Sequence, residues 1–415
     1  MPFKKLKQNR LGFFIILITF FISANIAWLN PAPGKESYQP NSKIPLFWQY
    51  NYDSGIEILT AAYFPKIFYK DDTRIDRPTY PIIANLLGKI ICLGICPIYK
   101  LSDLEKAGAG YILLKILIFS LALVLLNEIY KKYFNNLSKY LSNLLIFFSV
   151  ISIANIATFH TVELQFITPI ILTYLFINIL TNYSLRKNLL FSIIAGIFML
   201  GKPNYAIYLS ILLFSFLNKH YFKTIFSFFF HFIPLIIYSI YLKTIELSFK
   251  FIGAQHDSGV WLIDYFYNYQ FIDFAKKIIL SIYLYLNLLW DSYSIWLIFF
   301  IIGLFTLRNK INKQIYHFIL ILFLLNWFQI FFSDRYRTYM VSDVMFLVYP
   351  IASIYLISIL HITKFKIRFF FITLISFLIV SFNISKFVNL PLVHPYNQAS
   401  KNVEKMNKKL NFIIK

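Results

Sequence analysis

The sequence predicts an all-α protein that crosses a membrane many times. Of its 415 residues, 59% are hydrophobic and 20% are aromatic, which is more apolar surface than one soluble core can bury. Several runs also exceed about 18 residues with almost no charge, as helices that span a bilayer require. We therefore expect a polytopic transmembrane helix bundle.

Eleven apolar runs are predicted as spans of this bundle. They cover residues 11–29, 110–127, 141–159, 164–181, 188–201, 204–218, 223–242, 291–307, 315–333, 338–360 and 367–384. Residues 1–10 carry four basic side chains, and every short loop that this order places beside the cytoplasm is also basic. The positive-inside rule then puts the N-terminus in the cytoplasm. The membrane domain is residues 1–384, and the tail, 385–415, is expected outside.

Two further apolar runs, 81–99 and 278–290, are not counted as spans, because either would reverse the orientation of every later segment. We interpret them as interfacial or re-entrant helices of the outer leaflet, within large outer loops at 30–109 and 243–290. A membrane hairpin is the alternative at each place. This topology leaves Glu128 as the one carboxylate in a cytoplasmic segment, which indicates that the outer face is the working face.

The charge and the cysteines exclude several functions. The net charge is +22, but the basic residues form short clusters between apolar runs, as orientation signals do, and we expect no nucleic acid partner. No Walker loop or glycine-rich nucleotide motif occurs on the cytoplasmic side. Cys92 and Cys96 share one face of an apolar segment, and we interpret them as two buried thiols, because a metal site needs more ligands.

A polar stretch at residues 48–81 carries the first candidate site. Ser54-x-x-Glu57 matches a capping box that opens a short amphipathic helix, which Pro65 would end. That interpretation accounts for Glu57 but leaves Asp53 just before the cap, with a free carboxylate suited to a general base. A solvated surface aspartate is the alternative for Asp53.

The same stretch ends in an arginine-rich element that contains Arg74, Arg77, Pro78, Tyr80 and Pro81. The prolines are expected to set the start of the following helix. The planar guanidinium groups suit bidentate contact with a lipid-linked phosphate. Contact with anionic lipid head groups explains them equally well.

Two candidate groups lie in turns between later apolar runs. His160 and Glu163 flank a short outer turn, where Glu163 is either a second acid of the site or a helix N-terminal acid. Lys202 separates two runs of about 13 residues, each about 20 Å long, at the top of a short hairpin. Its ammonium group needs a partner there, such as a lipid phosphate, unless the side chain snorkels to water.

Later outer segments add weaker candidates. Arg335, Tyr336 and Arg337 lie at the outer interface, as phosphate ligands or as part of an interfacial belt. His256 precedes Asp257 in the second outer loop, where its spacing does not distinguish a functional pair from ordinary loop polarity.

Taken in order, these stretches resemble the polytopic glycosyltransferases of the GT-C fold. The resemblance is strongest to the bacterial branch of aminoarabinose, protein-mannosyl and rhizobial lipopolysaccharide sugar transferases. The matching positions are Asp53, the element from Arg77 to Pro81, Glu163, Lys202 with Pro203, and Arg335 with Tyr336. Many members have two adjacent acids where this chain has Asp53 and Ser54. Glu57 or the pair Asp71 and Asp72 is expected to substitute, which leaves a role for Mg²⁺ or Mn²⁺ open. We expect no large C-terminal soluble domain like that of some members, because only residues 385–415 follow the last predicted span.

The resemblance implies an inverting transferase of the bacterial inner membrane with an outward-facing site. It would move a sugar from a polyprenyl-phosphate carrier to a hydroxyl group of a glycan, lipid or protein acceptor. Asp53 would deprotonate the acceptor, while Lys202, Arg77 and Arg335 would bind the carrier phosphate. The alternatives are a non-catalytic flippase or transporter of lipid-linked saccharide, and a glycan polymerase or ligase centred on late arginines.

Overall fold

The computed structural model of this protein describes residues 52–69, 75–98, 100–133, 167–181, 184–202, 205, 208–209, 212, 221–249, 267, 271–306, 308, 313–333, 341, 343–359, 374 and 378. The chain divides into two compact units. Residues 1–124, 150–167 and 376–415 form the first unit, and residues 125–149 and 168–375 form the second. Every regular element in the described ranges is helical, which confirms the all-α prediction.

Ten α-helices lie within the described ranges, and a 3₁₀ turn at Lys66–Tyr69 follows the first of them. In chain order they are α1 (Tyr52–Tyr63), α2 (Thr79–Ile95), α3 (Asp103–Tyr133), α4 (Thr168–Thr181), α5 (Leu185–Met199), α6 (Tyr221–Thr244), α7 (Phe271–Tyr293), α8 (Ile295–Thr306), α9 (Lys313–Ser333) and α10 (Met345–Ile359). The first unit contains α1, α2 and most of α3, and the second contains the other helices.

Several of these helices have the composition of membrane spans. Within the described residues, α3 over Asp103–Ile129 and α6 over Tyr221–Thr244 are long and apolar enough to cross a bilayer. The bent pair formed by α7 and α8 is a third candidate if it counts as one span. Large apolar side chains of α6, including Phe222 and Ile237, are exposed, as expected of a lipid-facing surface. The apolar helices therefore indicate a membrane protein.

The predicted runs at 110–127 and 223–242 lie inside these two candidate spans. Shorter apolar helices occupy Thr79–Ile95, Thr168–Leu180 and Tyr316–Phe332. The runs at 11–29 and 141–159, and most of those at 204–218 and 367–384, lie outside the described residues. The total of about eleven spans therefore remains a prediction.

The boundary between α7 and α8 differs from the predicted one. We expected a helix at 278–290 and a span that starts at Asp291, but α7 continues through Asp291 and breaks at Ser294. Ser294 adopts a left-handed φ of 48°, and the two helices are bent by 104°. The predicted start of a span at Asp291 is therefore wrong, because the backbone changes direction only at Ser294.

In the first unit, α2 and α3 approach each other through small residues. A methyl group at Gly88 would overlap the carbonyl oxygen of Lys106, and one at Gly110 would overlap the carbonyl oxygen of Ala84. Such backbone-to-backbone contact is possible only where neither helix carries a large side chain. Helix α2 is therefore held against the candidate span α3.

In the second unit, glycines allow close contact between helices at two places. A methyl group at Gly196 of α5 would overlap the main chain at His231 of α6, and Gly303 of α8 faces Tyr355 of α10. The buried His231 ring also stacks on Phe176 of α4, with 5.4 Å between ring centroids. These contacts hold α5 near its C-terminal end, shortly before Lys202, and hold α10 along its middle.

The capping box predicted at Ser54 and Glu57 is wrong. Ser54 is already helical in α1, so it is not the residue before the first turn. The same pattern instead caps α3, where the Ser102 N–H donates to Glu105 Oε2 at 2.7 Å and the Glu105 N–H donates to Ser102 Oγ at 3.3 Å. Pro65 does follow the end of α1, as predicted.

The prediction of two buried thiols is also wrong. Cys92 and Cys96 form a disulfide bond, with their Cα atoms 4.8 Å apart. Both residues are half-buried at the C-terminal end of α2. Two cysteines one helical turn apart on one face are close enough to form a disulfide bond. The predicted shared face was therefore already sufficient reason to expect the bond.

The glycine crossing of α2 and α3 leads to a first prediction. Gly88→Ala should lower the free energy of unfolding by about 1–3 kcal/mol, because the added methyl group overlaps the backbone of α3. Gly94→Ala is the matched control on the same helix, since its methyl group would meet no atom within 4 Å. The control should be neutral or stabilising by up to about 1 kcal/mol. Thermal unfolding of the purified protein in detergent measures both, and equal midpoints would contradict the crossing.

Candidate functional site

Glu57 is built into the interior of the first unit. Its side chain is 4% exposed, and the Tyr111 hydroxyl of α3 lies 3.4 Å from both Glu57 Oε2 and the Glu57 main-chain oxygen. At the end of α1, burial and then the Asp103 carboxylate raise the pKa of the Tyr63 phenol. The acid assigned to helix capping is therefore a buried group that contacts the candidate span α3.

Asp53 lies at the N-terminal end of α1, one turn before Glu57. The expected position just before a helix cap is wrong, because the helix already includes Tyr52. A spacing of four residues places positions 53 and 57 on the same side of the helix backbone. The backbone of α1 thus supplies two acidic positions in succession.

The arginine-rich element contains a buried acid that the sequence analysis did not single out. Asp76 is 0% exposed, and Arg77 Nε lies 3.9 Å from Asp76 Oδ1 in an ion pair. Tyr80 is buried in the first turn of α2, which begins directly after Pro78 as the prolines predicted. Arg77 therefore balances an internal carboxylate while its side chain keeps partial exposure.

In the second unit, Lys202 lies in the turn after α5, as the sequence predicted. The Lys202 N–H donates to the Met199 oxygen at 3.1 Å, and the Tyr205 N–H donates to the Lys202 oxygen at 2.9 Å. Lys202 Nζ lies 5.7 Å from the centroid of the Tyr205 ring, a cation–π contact. Its charge also attracts the buried carboxyl group of Asp343. The ammonium group thus has partners within its own chain.

A cluster of polar side chains lies within electrostatic range of Asp343, which is 5% exposed in the turn before α10. Asp343 interacts electrostatically with the hydroxyl groups of Tyr208, Tyr285 and Tyr293. The Tyr293 hydroxyl donates to the Val341 oxygen and so joins the end of α7 to this turn.

The Tyr285 hydroxyl extends the same cluster toward α9. It lies 3.1 Å from Asn326 Oδ1 and 3.2 Å from the Phe323 oxygen. Asn326 is itself buried. The second unit therefore contains an ammonium group, a carboxyl group, an amide and several phenols in apolar surroundings, a combination suited to a ligand with both charge and hydroxyl groups.

Asp343 was not predicted as a site residue, although one signal in the sequence pointed to it. It is the single acidic residue in the predicted run 338–360, and an ionisable residue inside an apolar run is a functional candidate by default. The helical part of this run begins only at Met345, so Asp343 lies in the preceding turn rather than within a regular span.

Several predicted site residues lie outside the described residues. They are Arg74, His160, Glu163, His256, Arg335, Tyr336 and Arg337. Asp53 belongs to the first unit and Lys202 to the second, so their convergence on one pocket stays a prediction.

The part of the chain that the structure describes contains no group of three or more His, Cys, Asp or Glu side chains placed to hold a metal ion. Comparison with protein-family models, curated proteins and solved structures finds no match for this chain.

The pairing of Lys202 with Asp343 leads to a second prediction. Lys202→Met should lower the free energy of unfolding by about 1–3 kcal/mol, because a buried carboxyl group loses a nearby cation. This loss in the free energy of unfolding is smaller than for a fully buried ion pair, because Lys202 is partly exposed. Adding Asp343→Asn should recover part of the loss, and thermal unfolding of both single variants and the double variant measures the coupling.

The exposed pair formed by Lys276 and Asp273 provides the control for this cycle. Lys276→Met should change the free energy of unfolding by less than about 0.5 kcal/mol. Strictly additive effects of Lys202→Met and Asp343→Asn would show that the two charges do not interact.

Proposed function

We propose that this protein is a membrane glycosyltransferase of the GT-C type that uses a polyprenyl-phosphate sugar. The apolar helices supply the membrane setting, and the order of acidic, arginine–proline, lysine–proline and arginine–tyrosine elements supplies the resemblance. The proposal includes about eleven spans, a cytoplasmic N-terminus and a site facing outward from the inner membrane. The sequence bias of acidic residues toward the predicted outer segments supports this orientation.

The observation that carries the proposal is the burial of carboxyl groups in the stretch that was predicted to hold the chemistry. Glu57 and Asp76 are packed within the first unit instead of lying on a solvated loop. Transfer of an ionised group out of water costs several kcal/mol even with a partner nearby. Charges retained at such a cost in a membrane protein usually serve a ligand or a reaction.

In the proposed reaction, Asp53 removes the proton from an acceptor hydroxyl group. The acceptor oxygen then bonds to the anomeric carbon as the bond from that carbon to the phosphate oxygen breaks. The electron pair of the broken bond leaves on polyprenyl phosphate, and the configuration inverts. Glu57, one turn along α1, is the second acid that replaces the adjacent acid of related enzymes. Glu163 is kept as a further acid.

Cationic side chains stabilise the charge that grows on the leaving phosphate. Lys202, Arg77 and Arg335 are assigned this role, and Arg74, Tyr80, Tyr336 and Arg337 support binding of the carrier. Arg77 forms an ion pair with the internal acid Asp76, and the charge of Lys202 acts on the internal acid Asp343. The phosphate would therefore compete with these carboxyl groups for the cations.

The third prediction separates catalysis from binding. Asp53→Asn should lower kcat for release of polyprenyl phosphate by about 10²–10⁴-fold, since an amide does not accept the proton. Binding of polyprenyl phosphate should change less than about twofold. Lys202→Met should instead weaken that binding by about tenfold or more, as expected for loss of a charge-assisted contact. Proteoliposomes supplied with a panel of polyprenyl-phosphate hexoses and pentoses provide the assay.

The control for this experiment is Asp273→Asn, because Asp273 is an exposed acid of α7 outside the proposed machinery. It should leave both release and binding unchanged.

A flippase would behave differently from a transferase. It would move a fluorescent lipid-linked saccharide across the bilayer without releasing polyprenyl phosphate, and Asp53→Asn would barely affect that movement.

A further inference from the structure

The Cys92–Cys96 disulfide joins no separate parts of the fold. Cys92 lies in α2, and Cys96 is the residue that caps its C-terminus. The Cys96 N–H already donates to the Cys92 oxygen at 2.9 Å, so a main-chain hydrogen bond closes the same turn. A bond that closes so short a loop constrains the unfolded chain less than one that links distant segments.

Other contacts hold α2 in place. It packs on α1, and its glycine crossing with α3 lies at Ala84 and Gly88, before the turn that contains the disulfide. Reduction of the disulfide would therefore affect the last turn of α2 and leave the crossing intact.

The surroundings of the disulfide are open. Both cysteines are half-buried, Leu93 between them is 81% exposed, and a methyl group at Gly94 would meet no atom within 4 Å. Thiol–disulfide exchange requires a thiolate to approach one sulfur atom in line with the S–S bond. Protein atoms do not enclose this helix end, so they do not block such an approach, as they would around a disulfide buried in a core.

We propose that Cys92–Cys96 is a reversible thiol–disulfide exchange site, located where the C-terminal end of α2 faces an oxidising compartment. The partner is the dithiol of a thiol–disulfide oxidoreductase in that compartment. One partner thiolate attacks a sulfur atom of the disulfide, a mixed disulfide forms, and the second partner thiol resolves it. The partner dithiol is oxidised to a disulfide, and its two electrons and two protons end on the two thiols of this chain.

This inference is independent of the proposed transfer reaction. It uses neither the basic residues that set the predicted topology nor any of the proposed site residues. Disulfides persist outside the reducing cytoplasm, so the bond gives a separate reason to place the end of α2 on the outer face.

The experiment counts accessible thiols in the full-length protein in membrane vesicles. Cys92 and Cys96 are the two cysteines of the whole sequence, so every adduct reports on this site. Right-side-out vesicles are treated with a membrane-impermeant maleimide that adds a large mass, before and after an impermeant phosphine reductant. We expect no adduct before reduction and two adducts after it. A separate sample is reduced, freed of the reductant and treated with glutathione disulfide before labelling. This sample should again give no adduct.

Two controls keep the outcome decisive. The Cys96→Ser variant should give one adduct without reductant, which tests access to Cys92 directly. Reduction of the natural chain should shift the thermal midpoint by no more than about 3 °C.

The proposal is overturned by adducts without reductant in the natural chain, or by labelling that occurs only in inside-out vesicles. Failure to re-form the bond, or unfolding on reduction, would also overturn it. Activity of Asp53→Asn bears on none of these outcomes, so the two proposals fail separately.

Discussion

The backbone contact between α2 and α3 is the constraint on which the rest of the first unit depends. Lipid chains are as apolar as leucine, so helices in a membrane associate through close packing rather than through hydrophobic burial. Gly88 and Gly110 allow this packing, because the opposing carbonyl groups occupy the space of their missing side chains. The crossing holds α2 directly after the segment in which Asp76 is buried.

Ionisable groups lie in the interior of both units, each close to a group that offsets its burial. Glu57 lies near the Tyr111 hydroxyl, Asp76 pairs with Arg77, and Asp343 is attracted by Lys202. Charged residues make up 14% of the sequence, and these three acids lie in the interior while others, such as Asp273 and Lys276, are exposed. The described structure thus concentrates polar chemistry where apolar packing is otherwise complete.

The sequence predicted the positions of helices more accurately than the contacts between distant segments of the chain. The runs at 223–242 and 315–333 agree within two residues with α6 and α9 at each end, because a long apolar run in a membrane can be satisfied only as a helix. The break at Ser294 and the burial of Asp343 depend on contacts between segments far apart in the chain, which periodicity does not encode. The short motif at Ser54 was ambiguous because two Ser-x-x-Glu patterns occur and only their surroundings distinguish them.

The bend between α7 and α8 has a geometric consequence for how a lipid substrate would approach. The bend exceeds a right angle by only 14°, so if α8 runs along the bilayer normal, α7 lies almost flat. At 1.5 Å per residue, its 23 residues would form a ledge about 34 Å long at one depth of the membrane. Ile279 and Tyr283 project from this ledge without covering contacts. In the proposed reaction, the isoprenoid carrier would then approach sideways from the lipid, with its head group already at the depth of α7.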